Sequence, residues 1–256
     1  MLTRIKILSL IMCMALNIND VMAADLTEII ERGEIIVGTT GDYRPFSYYD
    51  PVTGEYGGYD IEAAKILAKS MGVGLKFVRT SWPTLMQDLE DQKFDIAMTG
   101  ITRTLERQKV AAFSDPYIKF GKVILVRKQD LHKYTDLKSI DIKGVKIGVN
   151  PGGTNYQFVS ENIKNATVIV IEKNAEIPAM VSAGTIDAMI TDSIEAIIYA
   201  KADSVLAVSM LDKPLTTSQL GYLMHQDSNK LLSFVNMWMA EAELCGEFDK
   251  LHVKWM

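Results

Sequence analysis

Beyond residue 24 the apolar positions fall into two alternating patterns. Short runs rich in Val, Ile and Leu at 34–38, 75–79, 94–98, 122–126, 146–149, 167–171, 188–190, 205–208 and 220–225 predict strands. Helical spacing marks 26–32, 60–71, 156–162, 175–183, 193–202 and 227–242. The clearest helix sets Ile61, Ala64, Leu67, Ala68 and Met71 on one face, with Asp60 as its expected N-cap and Gly72 as its stop. Strands alternating with helices predict the α/β class with largely parallel sheets. Met237, Trp238 and Trp255 are expected in the core.

The pattern also repeats. Residues 93–100, KFDIAMTG, echo residues 185–192, TIDAMITD. The chain thus reads as two α/β lobes whose strand ends face one crevice, where open parallel sheets bind ligands. The first lobe is expected from 24–122 and 214–256 and the second from 123–213. The run KVILV at 122–126 makes the first crossing, and the chain returns near 211–215.

Composition narrows the class. The 256 residues suffice for two lobes, and the formal net charge of −5 argues against a nucleic-acid partner. At the start, Arg4 and Lys6 precede an apolar run at 7–16, and Val21-Met22-Ala23 fits the small-x-small rule. Residues 1–23 therefore read as a cleaved export signal, which places the rest in a periplasm. Met12 before Cys13 speaks against a lipid anchor. One cysteine, Cys245, then remains, so no internal disulfide is expected. His132, His225 and His252 are scattered, and neither metal nor cofactor is expected. A monomer is expected.

The densest chemistry lies in TGITRTLERQKVAAFSDPY at 99–117. A strand end, Thr99-Gly100, runs into a polar helix over 103–110, with Thr102 placed to cap it and seat an anion. Arg107 adds a planar fork matched to a carboxylate. A surface ion pair with Glu106 or Glu62 would serve Arg107 equally well. In the loop at 39–48, Tyr43 is the aromatic expected to touch a ligand, whereas Phe46 and Tyr48 read as packing. Trp82 fits either a cleft wall or a staple between helix and sheet. In the second lobe, Gly152-Gly153-Thr154 allows close backbone approach at a helix start. Asp192, at a strand end, is either a ligand-facing acid or a cap for the helix at 193.

The spacing T-x-x-R…F-S-x-P-Y resembles the signature of amino-acid-type periplasmic solute-binding proteins. That resemblance implies a type II two-lobe fold with the ligand cleft between lobes, and an amino acid or related small carboxylate as ligand. It implies an inner-membrane ABC permease as partner. It implies that Arg107 grips the ligand carboxylate, that Thr99, Gly100, Thr102, Gly153, Thr154 and Asn155 surround it, and that Asp192 holds an ammonium. GTTGDY-x-PFSY at 38–48, TSWP-x-LM-x-D at 80–88, FDIAM-x-GI at 94–101, LERQ at 105–108, NPGGTN at 150–155 and TD-x-IEA at 191–196 are similar to the cyclohexadienyl dehydratase branch. Those enzymes convert prephenate or arogenate to phenylpyruvate or phenylalanine, and the resemblance puts their acidic glutamate directly after NPGGTN. Here that position is Tyr156, whose phenol, with an ordinary pKa near 10, is a poor proton donor at neutral pH. It is also bulky enough to fill space in a cleft. A binding protein is the reading this favours. A dehydratase would need another acid, Glu161 or Glu195, of which Glu161 should point away from the cleft and Glu195 should sit on a helix surface. A ligand-sensing module is a third reading.

Overall fold

The computed structural model describes residues 25–256; the expected export signal at 1–23 lies outside the described residues. Two five-stranded sheets carry the fold. In the first, strand Glu34–Thr39 pairs in parallel with Gly74–Arg79 on one side and Ile96–Ala97 on the other. Leu223–His225 then joins antiparallel, followed by Ala111–Phe113. In the second, Lys146–Val149 lies parallel between Thr167–Val170 and Ala188–Asp192, while Lys122–Arg127 and Leu206–Ser209 complete it antiparallel. Each sheet thus has a parallel half, made by strand–helix–strand crossovers, and an antiparallel half made by returning chain.

Each sheet is covered by helices on its own core. Tyr59–Met71 buries Ala64, Leu67, Ala68 and Met71 in the core of the first sheet, and the left-handed Gly72 ends it as the sequence predicts. In the second lobe Ile124, Val126, Ile147, Ile190 and Val159 form one core layer and Val123, Leu125, Ile177 and Val181 the other. The lobes are joined by a two-stranded ribbon, Ile118–Phe120 against Ser218–Leu220. Its strands lie just before the first departure and just after the return of the chain.

Several local expectations are corrected. Asp60 is not the cap of its helix; Gly58 is, and Asp60 sits fully buried one residue inside the first turn. Thr102 caps nothing: the helical turn is only Leu105–Gln108, and Thr104 caps it by accepting the Arg107 N–H. The C-terminal helix splits into Asn229–Leu244 and Glu247–Trp255 at the left-handed Gly246. Trp238 is core, but Met237 faces solvent at 63 % exposure, and Trp255 rests against Tyr48.

Candidate functional site

The parallel halves of both sheets point their strand ends at the crevice between the lobes. From the first lobe, the loop after Glu34–Thr39 turns into the hairpin Asp42–Tyr43 and Ser47–Asp50 and carries Tyr43 to the crevice. Trp82 packs edge-on against Tyr43 and donates its indole N–H to Asp42 Oδ1 at 3.1 Å. Trp82 therefore serves both roles its position allows, as wall and as staple. Gly100 follows the short strand Ile96–Ala97 with a φ of 73°, and a Cβ there would strike the Tyr43 ring at 2.5 Å. Only glycine fits.

Of the residues expected to meet a ligand, all but Thr99, Gly152 and Tyr156 line one cavity between the lobes, with Asn150 and Asn174 added. Thr99 is fully buried beneath it, its hydroxyl bonded to Thr40 and Ser47. Tyr156 is 38 % exposed. It follows Thr154 and Asn155 around the helix Thr154–Asn162, and the turn of the helix carries it out of the cleft. Its ring does not fill the ligand space, contrary to expectation. Gly152 is also corrected. Its φ of 82° and the 2.4 Å clash a Cβ would make with Pro83 show a backbone shaped to meet the opposite lobe rather than a ligand.

One of the two roles expected of Arg107, a surface ion pair, is absent among the described residues. Glu106 pairs with Lys109 at 2.8 Å and Glu62 with Lys254 at 2.5 Å, so neither takes Arg107. The guanidinium instead donates to the Thr102 carbonyl at 3.0 Å and has no ion-pair partner among the described residues. Burial pushes it down to about 10, against the weaker opposing pull of Asp192.

Across the crevice, Asp192 ends strand Ala188–Asp192 and holds the N-cap position of helix Ser193–Ala202, yet its side chain makes no capping bond. Its carboxylate accepts the Tyr43 hydroxyl at 2.5 Å and the Lys122 ammonium at 3.2 Å. Burial, then the neighbouring charge of Asp192, pushes the Tyr43 phenol well up, so it acts as a donor at all ordinary pH. Two further bonds cross between lobes: the Thr102 and Thr154 hydroxyls at 3.2 Å, and Asn174 Nδ2 to the Asp42 carbonyl at 3.3 Å. The space so enclosed is about 20 Å³, room for about one water. Any larger ligand enters only as the lobes part.

Four contributors carry no local sequence signal that reveals them. Lys122, at the start of an apolar strand, is buried behind the cleft wall and bonds there to Thr154, Asn155 and Asp192. Asn174 lines it with Oδ1 unpaired, an acceptor for a ligand hydroxyl. Glu195, expected at the surface, is fully buried behind Asn174 and accepts from Asn174 Nδ2 at 2.6 Å and from the Thr191 hydroxyl. Burial lifts its carboxyl to about 8. Asp60, lifted by burial to about 7, holds the Gly100 N–H at 2.5 Å and the Tyr117 hydroxyl at 2.9 Å, and so fixes the loop beneath the cleft. Among the described residues no group of three or more His, Cys, Asp or Glu side chains could hold a metal.

Two lobes, each a small α/β unit, with a cation in one wall and an acid in the other, define a bilobed solute-binding architecture. Residues 35–256 match the bacterial extracellular solute-binding proteins, family 3, and the chain belongs to that family. It is 38 % identical over 231 residues to cyclohexadienyl dehydratase of Pseudomonas aeruginosa, covering 90 % of this chain and 85 % of that one. It is 30 % identical over 236 residues to the ABC transporter glutamine-binding protein of Bacillus subtilis, covering 90 % and 84 %. Among solved structures it resembles an ancestral amino acid-binding protein, a precursor of cyclohexadienyl dehydratase, with a TM-score of 0.84 at 40 % identity over 90 % of this chain and 98 % of that one.

Proposed function

We propose that this protein captures an amino acid or related small carboxylate in the interlobe cleft and presents it to an ABC permease, after export directed by residues 1–23. Arg107 carries the reading. A half-buried guanidinium without a counter-ion carries a desolvation cost, and an anionic ligand is what would offset it. The Thr102 and Thr154 hydroxyls stand close by to bond the same carboxylate once their mutual contact opens. The test is a thermal-shift screen of amino acids and small carboxylates on the purified protein, followed by calorimetry of the hits. Because Arg107 and Asp192 stand on different lobes, a ligand that saturates the protein is expected to hold the lobes together. Small-angle scattering should then show a smaller radius of gyration with ligand than with buffer alone. An identical profile with proven binding would rule out a cleft that works by closure.

A dehydratase is the second reading, favoured by the P. aeruginosa relative and by Glu195, a carboxyl that keeps its proton at neutral pH beside the cleft. Two features oppose it. Tyr156 stands outside the cavity, so a carboxyl introduced there by Tyr156→Glu would also begin on the wrong side of the helix. Glu195 has both oxygens engaged by Thr191 and Asn174, with no exposure to the cleft. The wild-type protein is expected to form no phenylpyruvate from prephenate above the spontaneous rate. Turnover that survives Tyr156→Phe and is lost in Glu195→Gln would make the protein an enzyme with Glu195 as its acid.

A further inference from the structure

The carboxylate site at Arg107 leaves open what else the ligand carries, and Lys122 bears on that choice. Lys122 lies directly opposite Asp192 in the antiparallel register of Lys122–Arg127 with Ala188–Asp192, so the two side chains leave the sheet on one face. It is 4 % exposed. Its ammonium lies 3.2 Å from Asp192 Oδ1, 2.5 Å from Asn155 Oδ1 and 3.2 Å from Thr154 Oγ1, which uses all three of its donors. The other oxygen of Asp192 takes the Tyr43 hydroxyl. Asp192 is the acid in the cavity wall, and both its oxygens are already matched to groups of the chain itself.

We propose that Lys122 occupies the place an amino-acid ammonium would need, and that the cleft selects a small oxo or hydroxy acid over the corresponding α-amino acid. The inference rests on the carboxylate reading of Arg107. Charge supports it: Lys122, buried behind the cavity wall, already answers Asp192, which leaves Arg107 in the wall without a counter-charge. A carboxylate without an amino group offsets that charge. A zwitterion adds as much positive charge as negative, and its ammonium would approach Lys122 in a site shielded from water, where like charges repel strongly. The unpaired Asn174 Oδ1 remains for a neutral donor such as a hydroxyl.

The test is calorimetry on the purified protein with three matched pairs: phenylpyruvate and phenylalanine, 2-oxoglutarate and glutamate, 4-methyl-2-oxopentanoate and leucine. In every pair that binds, the oxo acid is expected to bind at least about tenfold tighter. Lys122→Met should reduce that ratio by about tenfold or more by freeing Asp192 for an ammonium. Wild-type preference for the amino acids, or a ratio unchanged in Lys122→Met, overturns the proposal. Should that variant not fold, the wild-type ratio decides alone. Amino acids preferred in an Arg107-dependent manner would sink only the role of Lys122. Binding of no pair would sink the carboxylate reading with it.

Discussion

Arg107→Ala is expected to abolish ligand binding while leaving the fold intact. The side chain makes no ion pair among the described residues and a single hydrogen bond, to the Thr102 carbonyl, so little of the native structure depends on it. Removing a half-buried guanidinium relieves some desolvation cost, and the melting temperature should hold. Binding is another matter. Loss of a charge-assisted, two-pronged contact to a carboxylate costs about 2–5 kcal/mol, a weakening of roughly 30-fold to several thousand-fold. Arg107→Lys should recover only part of it, because an ammonium cannot present the planar fork. Calorimetry with any ligand found by the thermal screen measures this directly. Near-wild-type affinity for Arg107→Ala would mean the carboxylate sits elsewhere.

The second large effect is on stability against pH, and its direction is unusual. Glu195 and Asp60 are both fully buried, with carboxyls lifted to about 8 and about 7 from ordinary values of 4.5 and 3.8. Between those limits the folded protein holds protons that the unfolded chain has released. Stability must therefore fall as pH rises through that window. Asp130 and Asp141 work at the other end: hydrogen bonds hold their carboxyls below the ordinary value, so their contribution is lost as the pH drops below about 4. The optimum is expected near pH 4, where the two opposing trends meet, with a loss of roughly 6 kcal/mol between pH 5 and pH 8. Urea unfolding at pH 5, 6, 7 and 8 provides the curve, and Glu195→Gln should flatten its alkaline side. A protein equally stable at pH 5 and pH 8 would contradict the burial argument.

What the sequence made legible follows from range. The helix Tyr59–Met71, its glycine stop and the paired echoes at 93–100 and 185–192 rest on spacing within a few residues, and spacing of that kind survives folding unchanged. Tyr43, Arg107, Thr154 and Asp192 were recognisable because each lies beside a turn or a strand end. Lys122 was not. A lysine opening a run of aliphatic residues reads as an ordinary strand boundary, and only the pairing of that strand with Ala188–Asp192 brings it beside Asp192. Glu195 failed for the same reason. Its helix is apolar nearly all round, so the sequence gives no polar face, and the side chain is buried by a partner, Asn174, that lies 21 positions earlier in the chain. Tyr156 shows the converse error. Its place in a motif suggested the cleft, but the rotation of one helical residue carried it outside.

The route of the chain also sets an order of assembly. Every strand of the second sheet lies within one continuous stretch, from Lys122 to Ser209, so that lobe can complete its core without help from either end of the polypeptide. The first sheet cannot. Leu223–His225 sits between Ile96–Ala97 and Ala111–Phe113, and it is the last strand of the chain to be made. Until it arrives, Ala111–Phe113 has no neighbour in that sheet, and the helices Asn229–Leu244 and Glu247–Trp255 have not yet covered the core. Contacts that bridge more than a hundred residues must wait for the slowest loop closure. The lobe that carries Arg107 is thus the last to form, and a chain truncated before residue 223 would present a finished Asp192 wall facing an unfinished partner.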